Sequence, residues 1–88
     1  MLKEKYNGIA VRVTKLKDNK FNGKHPNHIN EGYKTEGFIH KGDIGSILFI
    51  DGLGRWLRTS LIKSIEENEG YDLVHTENST YKIEKAYE

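Results

Sequence analysis

The stretch from Lys41 to Ser60, KGDIGSILFIDGLGRWLRTS, decides the fold. Its apolar run from Ile44 to Ile50 is almost continuous, which is typical of a central strand covered on both faces. Asp51-Gly52 then gives a strong hairpin signal, because Asp and Gly accept tight-turn geometry. On the return strand Leu57, Thr59 and Leu61 alternate with Trp56, Arg58 and Ser60. We therefore predict a β-hairpin at the centre of a small β-barrel.

The remaining chain adds further strands around this hairpin. Gly8–Leu16 alternates apolar with mixed residues, as a half-buried strand requires. Tyr71–Thr76 and Tyr81–Tyr87 predict a second hairpin, whereas the spacing in 61–70 leaves a short strand and a helical turn both open. Residues 17–40 have no clear period and predict a long early loop. We predict an all-β fold, a small antiparallel barrel of five to six short strands.

Length and composition limit the classes of protein to consider. The 88 residues suffice for one domain, 1–88, with its core at about 8–87. The chain has no cysteine, so it forms neither disulfides nor thiolate metal sites. It also lacks the apolar run of a signal peptide or of a membrane span. We expect a cytoplasmic protein with no membrane partner.

The net charge of +1 conceals two segments of opposite charge. Residues 1–63 hold 12 Lys and Arg against 6 Asp and Glu, whereas residues 64–88 hold 2 against 7. Such polarity indicates either a basic face for an anionic partner or two segments that pair in the fold. We favour the second interpretation, in which the charges cancel locally.

The run Lys41-Gly42-Asp43-Ile44-Gly45-Ser46-Ile47 is similar to the KOW motif, in which a basic residue, two glycines and aliphatic residues open a strand of an SH3-like barrel. The layout over about 8–87 also resembles small proteins of bacteriophages and mobile elements, through Trp56…Arg58-Thr59-Ser60 and Thr76-Glu77-Asn78-Ser79-Thr80-Tyr81. The resemblance to KOW barrels implies binding of RNA, of proteins or of both. We expect Gly42 and Gly45 to permit a bulge or a tight strand entry, because no helix follows to make them a phosphate loop.

Trp56 between two arginines is the best candidate for a binding residue. One exposed aromatic ring beside guanidinium groups can stack a base and hold a phosphate, or it can anchor an acidic peptide. A sole tryptophan in a small domain more often fills the core, whereas the alternation favours the outer face. Both orientations stay open at this point.

A basic set at the start of the chain is the other candidate surface. It would give salt-sensitive affinity for nucleic acid, although lysines also commonly protect an edge strand. The candidate binding residues are Arg12, Lys15, Lys17, Arg55, Trp56 and Arg58.

Neither catalysis nor metal binding has support in the sequence. No serine lies in a nucleophile motif, and the histidines His25, His28 and His40 lack the further ligands of a zinc site. We expect a non-enzymatic binding module without cofactor or metal. Its predicted partner is nucleic acid; the alternatives are a host or phage protein, or a structural homo-oligomer formed by pairing of edge strands.

Overall fold

The computed structural model describes residues 2–18, 32–52 and 55–87. These residues form one short helix and six β-strands, which confirms the all-β prediction. In chain order the elements are α1 (Leu2–Lys5), β1 (Val11–Asp18), β2 (Lys34–Lys41), β3 (Ile47–Gly52), β4 (Arg55–Asn68), β5 (Tyr71–Thr76) and β6 (Ser79–Lys85).

The six strands form a closed antiparallel barrel in which each strand pairs with its neighbours in sequence. Pairing of β1 with β6 closes the barrel, in a register that runs from Val11↔Lys85 to Asp18↔Ser79. This architecture is consistent with the predicted SH3-like barrel. The basic first strand therefore lies beside a strand from the acidic end of the chain.

The structure shortens the predicted early loop over 17–40. β1 continues to Asp18 and β2 occupies Lys34–Lys41, while residues 19–31 lie outside the described part of the chain. Gly37 of β2 is buried, and a Cβ built on it would lie 2.4 Å from the carbonyl oxygen of Asp51 in β3. Only glycine allows β2 and β3 to approach this closely.

β3 begins three residues later than the apolar run indicates. Gly45 has a φ of 91° and lies in the turn before β3, where its N–H donates to the Ile62 carbonyl at 2.9 Å. Leu48 and Ile50 are fully buried, whereas Phe49 between them is half-buried. The prediction that this strand is covered on both faces is therefore wrong, and the glycine at 45 provides the predicted tight strand entry.

β4 is a long strand that changes partner along its length. Its first half pairs with β3 and its second half with β5, with register shifts that include one between Ile62 and Ser64. The inward alternation accordingly breaks at Leu61, which is exposed, while Ile62 is buried. The segment that the sequence left open between strand and helical turn is thus a bulged strand.

The barrel interior is filled mainly by aliphatic side chains. No phenylalanine or tryptophan is among the buried residues of the described part of the chain. The core consists of Leu2, Tyr6, Val11, Val13, Ile39, Leu48, Ile50, Leu57, Ile62, Val74, Tyr81 and Ile83.

A buried carboxylate ties the N-terminal segment to the barrel. Asp72 is fully buried, and it accepts hydrogen bonds from the Tyr6 hydroxyl at 2.7 Å and from the Lys5 ammonium at 2.9 Å. Burial, followed by the hydrogen bond to Asp72 and the negative charges of Asp72 and Glu67, raises the pKa of Tyr6 above its ordinary value. α1 and this contact were not predicted, because the Lys5-Tyr6 pair precedes the first alternating run.

We expect Tyr6→Phe to lower the free energy of unfolding by about 1–3 kcal/mol, because it removes a hydrogen-bond donor to the buried Asp72 carboxylate. Urea denaturation measures the change. Tyr87→Phe is the matched control, since Tyr87 is 70% exposed and its hydroxyl donates to Glu36 at 3.3 Å. Equal stability of the two variants would contradict a role of the Tyr6 hydroxyl in the fold.

The same contact predicts an alkaline loss of stability. The pKa of Tyr6 is raised in the folded state, so above pH 10, the ordinary value, the unfolded chain releases this proton first. The stability that wild type holds over Tyr6→Phe should therefore be complete below pH 10 and fall above it, by up to about 1.4 kcal/mol per pH unit. Urea denaturation of both proteins between pH 8 and pH 11 tests this. A constant difference across that range would contradict it.

Candidate functional site

A cluster of aromatic side chains covers the outer surface of β2, β3 and the first half of β4. Trp56 is 61% exposed and Phe38 is 52% exposed, unusual values for such large apolar side chains. We call this surface the aromatic face; its members are Phe38, His40, Lys41, Phe49, Asp51, Trp56 and Arg58.

Ring contacts connect the centre of the aromatic face. Phe49 lies between His40, at a centroid distance of 5.4 Å, and Trp56, at 4.9 Å. The guanidinium of Arg58 lies 5.4 Å from the centroid of the same Phe49 ring. These distances are those of favourable aromatic and cation–π pairs, so Phe49 packs against His40, Trp56 and Arg58.

Strand register places the rest of the face in two rows. Phe38 is opposite Asp51, and Asp51 is opposite Trp56. In the next row Phe49 is opposite Lys41 on one side and Arg58 on the other. The face thus combines aromatic rings with two exposed cations and one exposed carboxylate.

Acidic side chains concentrate on a different part of the barrel. Glu66 and Glu67 belong to the half of β4 that pairs with β5, and Glu69 lies in the following turn. All three are exposed. β4 therefore runs from the aromatic face at its start to an acidic surface at its end.

Of the five predicted binding residues whose side chains the structure describes, two come together. Trp56 and Arg58 share the aromatic face, which settles the orientation of Trp56 as outward. Arg12, Lys15 and Lys17 lie on β1, which pairs with β2 and β6 and not with β3 or β4. The side chain of Arg55, the remaining candidate, lies outside the described part of the structure.

Two of the three β1 residues are also poor ligands for an external anion. The Arg12 guanidinium contacts Glu36 at 2.9 Å and Glu84 at 3.7 Å. Lys15 is 1% exposed, so it belongs to the barrel interior. Lys17 is exposed at the end of β1.

Contacts of Lys5 and Arg12 support the interpretation that the two charged segments cancel locally. Lys5 pairs with Asp72 and Arg12 pairs with Glu84, so each joins a basic residue of the first segment to an acid of the last. The charge difference between the two ends of the chain is thus partly neutralised across the barrel.

A groove lies between the N-terminal segment and the end of β6. This groove of about 1090 Å³ is lined by residues that include Lys5, Arg12, Tyr71, Lys85 and Tyr87. Lys5 and Arg12 are already paired with carboxylates. Two of the three cations in its lining are therefore engaged by carboxylates of the barrel itself.

No group of three or more potential ligands that could hold a metal ion occurs among residues 2–18, 32–52 and 55–87. His25 and His28 lie outside these ranges. Within the same ranges no helix is long and apolar enough to span a membrane.

Comparison with known proteins finds no matching family model, no similar curated protein and no similar solved structure. The functional interpretation therefore depends on the geometry of the chain itself.

Sequence reasoning missed Phe49 and Asp51 as members of the exposed surface. Phe49 was assigned to a strand covered on both faces, and Asp51 was assigned to a turn. Phe38 and His40 lie in the stretch 17–40, which the sequence predicts as a loop. Leu48 and Ile50 are buried on either side of Phe49, but all three residues are apolar, so the local sequence pattern does not place the Phe49 ring outside.

Because Trp56 is exposed, it should contribute little to stability. We expect Trp56→Ala to lower the free energy of unfolding by less than about 1 kcal/mol. The adjacent Leu57 is 3% exposed, and Leu57→Ala should cost about 2–5 kcal/mol through loss of core packing. Urea denaturation of both variants makes the comparison. A larger loss for Trp56→Ala than for Leu57→Ala would contradict the outward orientation.

Proposed function

We propose that this protein is a non-enzymatic module that binds single-stranded nucleic acid on its aromatic face. The observation that carries the proposal is the group of exposed rings, Trp56, Phe38 and half-buried Phe49, beside the Arg58 guanidinium. Bases of a single strand stack on such rings, and each stacked base is worth about 1–3 kcal/mol.

The charges around the rings support the same proposal. Lys41 and Arg58 flank Phe49 in one row across the sheet, and both are exposed. Cations beside stacking rings contact the phosphates that connect the stacked bases. The acidic half of β4 is on the far side of the bulge, so it does not oppose such a strand at the rings.

Single-stranded nucleic acid fits this surface better than a duplex. A duplex keeps its base faces stacked inside, and its grooves are read by side chains that enter them from an element of suitable shape. The aromatic face is a sheet surface with rings that need unpaired bases. The proposed ligand is therefore a flexible strand, RNA or DNA.

The proposal includes three points that come from the sequence alone. The resemblance to KOW barrels suggests RNA or protein ligands, and the quoted motifs suggest a protein of the bacteriophage or mobile-element type. A cytoplasmic location is proposed on the same basis.

Titration of the protein with fluorescent single-stranded RNA and DNA tests the function. We expect binding at low ionic strength that weakens steeply with salt. Trp56→Ala should weaken it about 5- to 100-fold through loss of stacking. Arg58→Ala should also lower, by about one, the number of phosphate contacts inferred from the salt dependence of the affinity.

Two matched variants serve as controls for these substitutions. Tyr87→Ala removes an exposed ring, and Lys85→Ala removes an exposed cation, both away from the aromatic face. Neither should change affinity beyond about twofold, apart from the uniform electrostatic effect of one lysine. Absence of binding at low salt, or equal effects of Trp56→Ala and Tyr87→Ala, would overturn the proposal.

A protein partner or a second copy of the chain is the alternative use of the same rings. Trp56 and Arg58 are residue types that dominate protein interfaces. Light scattering tests whether a second copy of the chain binds there. A dimer that Trp56→Ala dissociates would assign the aromatic face to a second copy. Pairing through edge strands is less favoured, because β1 and β6 close the sheet.

A further inference from the structure

We propose that the aromatic face selects guanine, and that Asp51 is the residue that reads it. This inference rests on the proposed function and specifies the base that the surface prefers. In this arrangement a base stacks on Trp56 or Phe38, and both oxygens of the Asp51 carboxylate accept hydrogen bonds from its N1–H and N2–H groups.

The position of Asp51 is the first support. Its register partners are Phe38 on β2 and Trp56 on β4, so the carboxylate lies between the two most exposed rings of the face. Directly opposed residues on adjacent strands have Cβ atoms about 4.5–5.5 Å apart. A base stacked on either ring thus brings its edge within reach of this carboxylate.

The availability of the carboxylate is the second support. Asp51 is exposed, and within the described ranges no side chain donates a hydrogen bond to it or forms an ion pair with it. Glu36 and Glu84 differ from Asp51 in this respect, because both contact the Arg12 guanidinium. The oxygens of Asp51 are therefore open to a ligand.

The chemistry of the bases distinguishes guanine from the others. An ionised carboxylate only accepts hydrogen bonds, and it has two oxygens side by side. Guanine presents two adjacent donors, N1–H and the N2 amino group, on its Watson–Crick edge. Adenine and cytosine present one amino donor next to an acceptor nitrogen, and thymine and uracil present one N–H between two carbonyl acceptors. Only guanine matches both oxygens without placing an acceptor against one of them.

The electrostatics of the surface supply the third support. A carboxylate in the middle of a phosphate-binding surface repels the backbone of every strand equally. Contact with a base edge converts this repulsion into discrimination, because the unfavourable charge is offset only by a base with matching donors. Asp51 therefore fits a reading role better than a purely structural one.

The test uses thymine-rich DNA strands, about ten nucleotides long, with guanine, hypoxanthine, adenine or cytosine at every third position. Affinities are measured for the full chain at one fixed salt concentration, by fluorescence anisotropy. We expect guanine strands to bind about tenfold more tightly than adenine or cytosine strands. Hypoxanthine strands should fall between, because hypoxanthine retains N1–H and lacks the N2 amino group.

Two substitutions assign the preference to its residue. Asp51→Asn replaces one acceptor by a donor, so guanine should lose its advantage over adenine to within about twofold. Asp43→Asn removes the same charge from an exposed acid in the turn between β2 and β3, and it should leave the guanine preference intact. Both variants are first checked for cooperative unfolding in urea.

The outcomes separate this inference from the proposed function. Equal affinity of all four strands for the wild-type protein would overturn the inference and leave the proposed binding function in place. A guanine preference that persists in Asp51→Asn overturns the role of Asp51. Absence of binding to all four strands at low salt overturns the proposed function and the inference with it.

Discussion

Closure of the sheet by β1 and β6 is the constraint on which the rest of this structure depends. Six strands that pair in a ring enclose a narrow interior, and the inward positions in this barrel carry mostly valine, isoleucine and leucine. Phenylalanine and tryptophan are absent from the described core. The Phe38, Phe49 and Trp56 rings lie on the outer surface of β2, β3 and β4, where Phe49 contacts Trp56.

Closure also explains the bends in the sheet. A strand that leaves one neighbour for another must turn a corner, and β4 does so with a bulge beyond Leu61. The tip of the β5–β6 hairpin contacts this corner: the Glu77 N–H donates to the Leu61 carbonyl at 3.0 Å. The Asn78 N–H donates to the Ser60 hydroxyl at 3.1 Å. The bend is therefore stabilised by the hairpin, and it separates the aromatic end of β4 from the acidic end.

Strict alternation made much of the fold predictable from the sequence. Leu57 and Thr59 point inward and Trp56 and Arg58 outward, as their spacing indicates. β2 was not predicted because its buried positions hold Gly37 and Ile39, so only one apolar side chain marks its inner face. α1 was not predicted because four residues are too few to show a helical period. Position 37 of β2 requires glycine because the Asp51 backbone of β3 lies close to it. No local sequence pattern reveals this contact between strands.

The candidate site was predictable only in part, because it is assembled by strand register. Trp56 and Arg58 were identified from one strand, but Phe38, Phe49 and Asp51 reach them through pairings that span two other strands. The basic residues of β1 were equally prominent in the sequence, yet Arg12 contacts Glu36 and Glu84 and Lys15 is interior. Positive charge in a sequence becomes a binding surface only where the fold does not engage it with acids. In this barrel the Arg58 cation packs on Phe49 beside exposed rings; Asp51 of the same face is opposite Trp56, and the acids of β4 lie beyond the bulge.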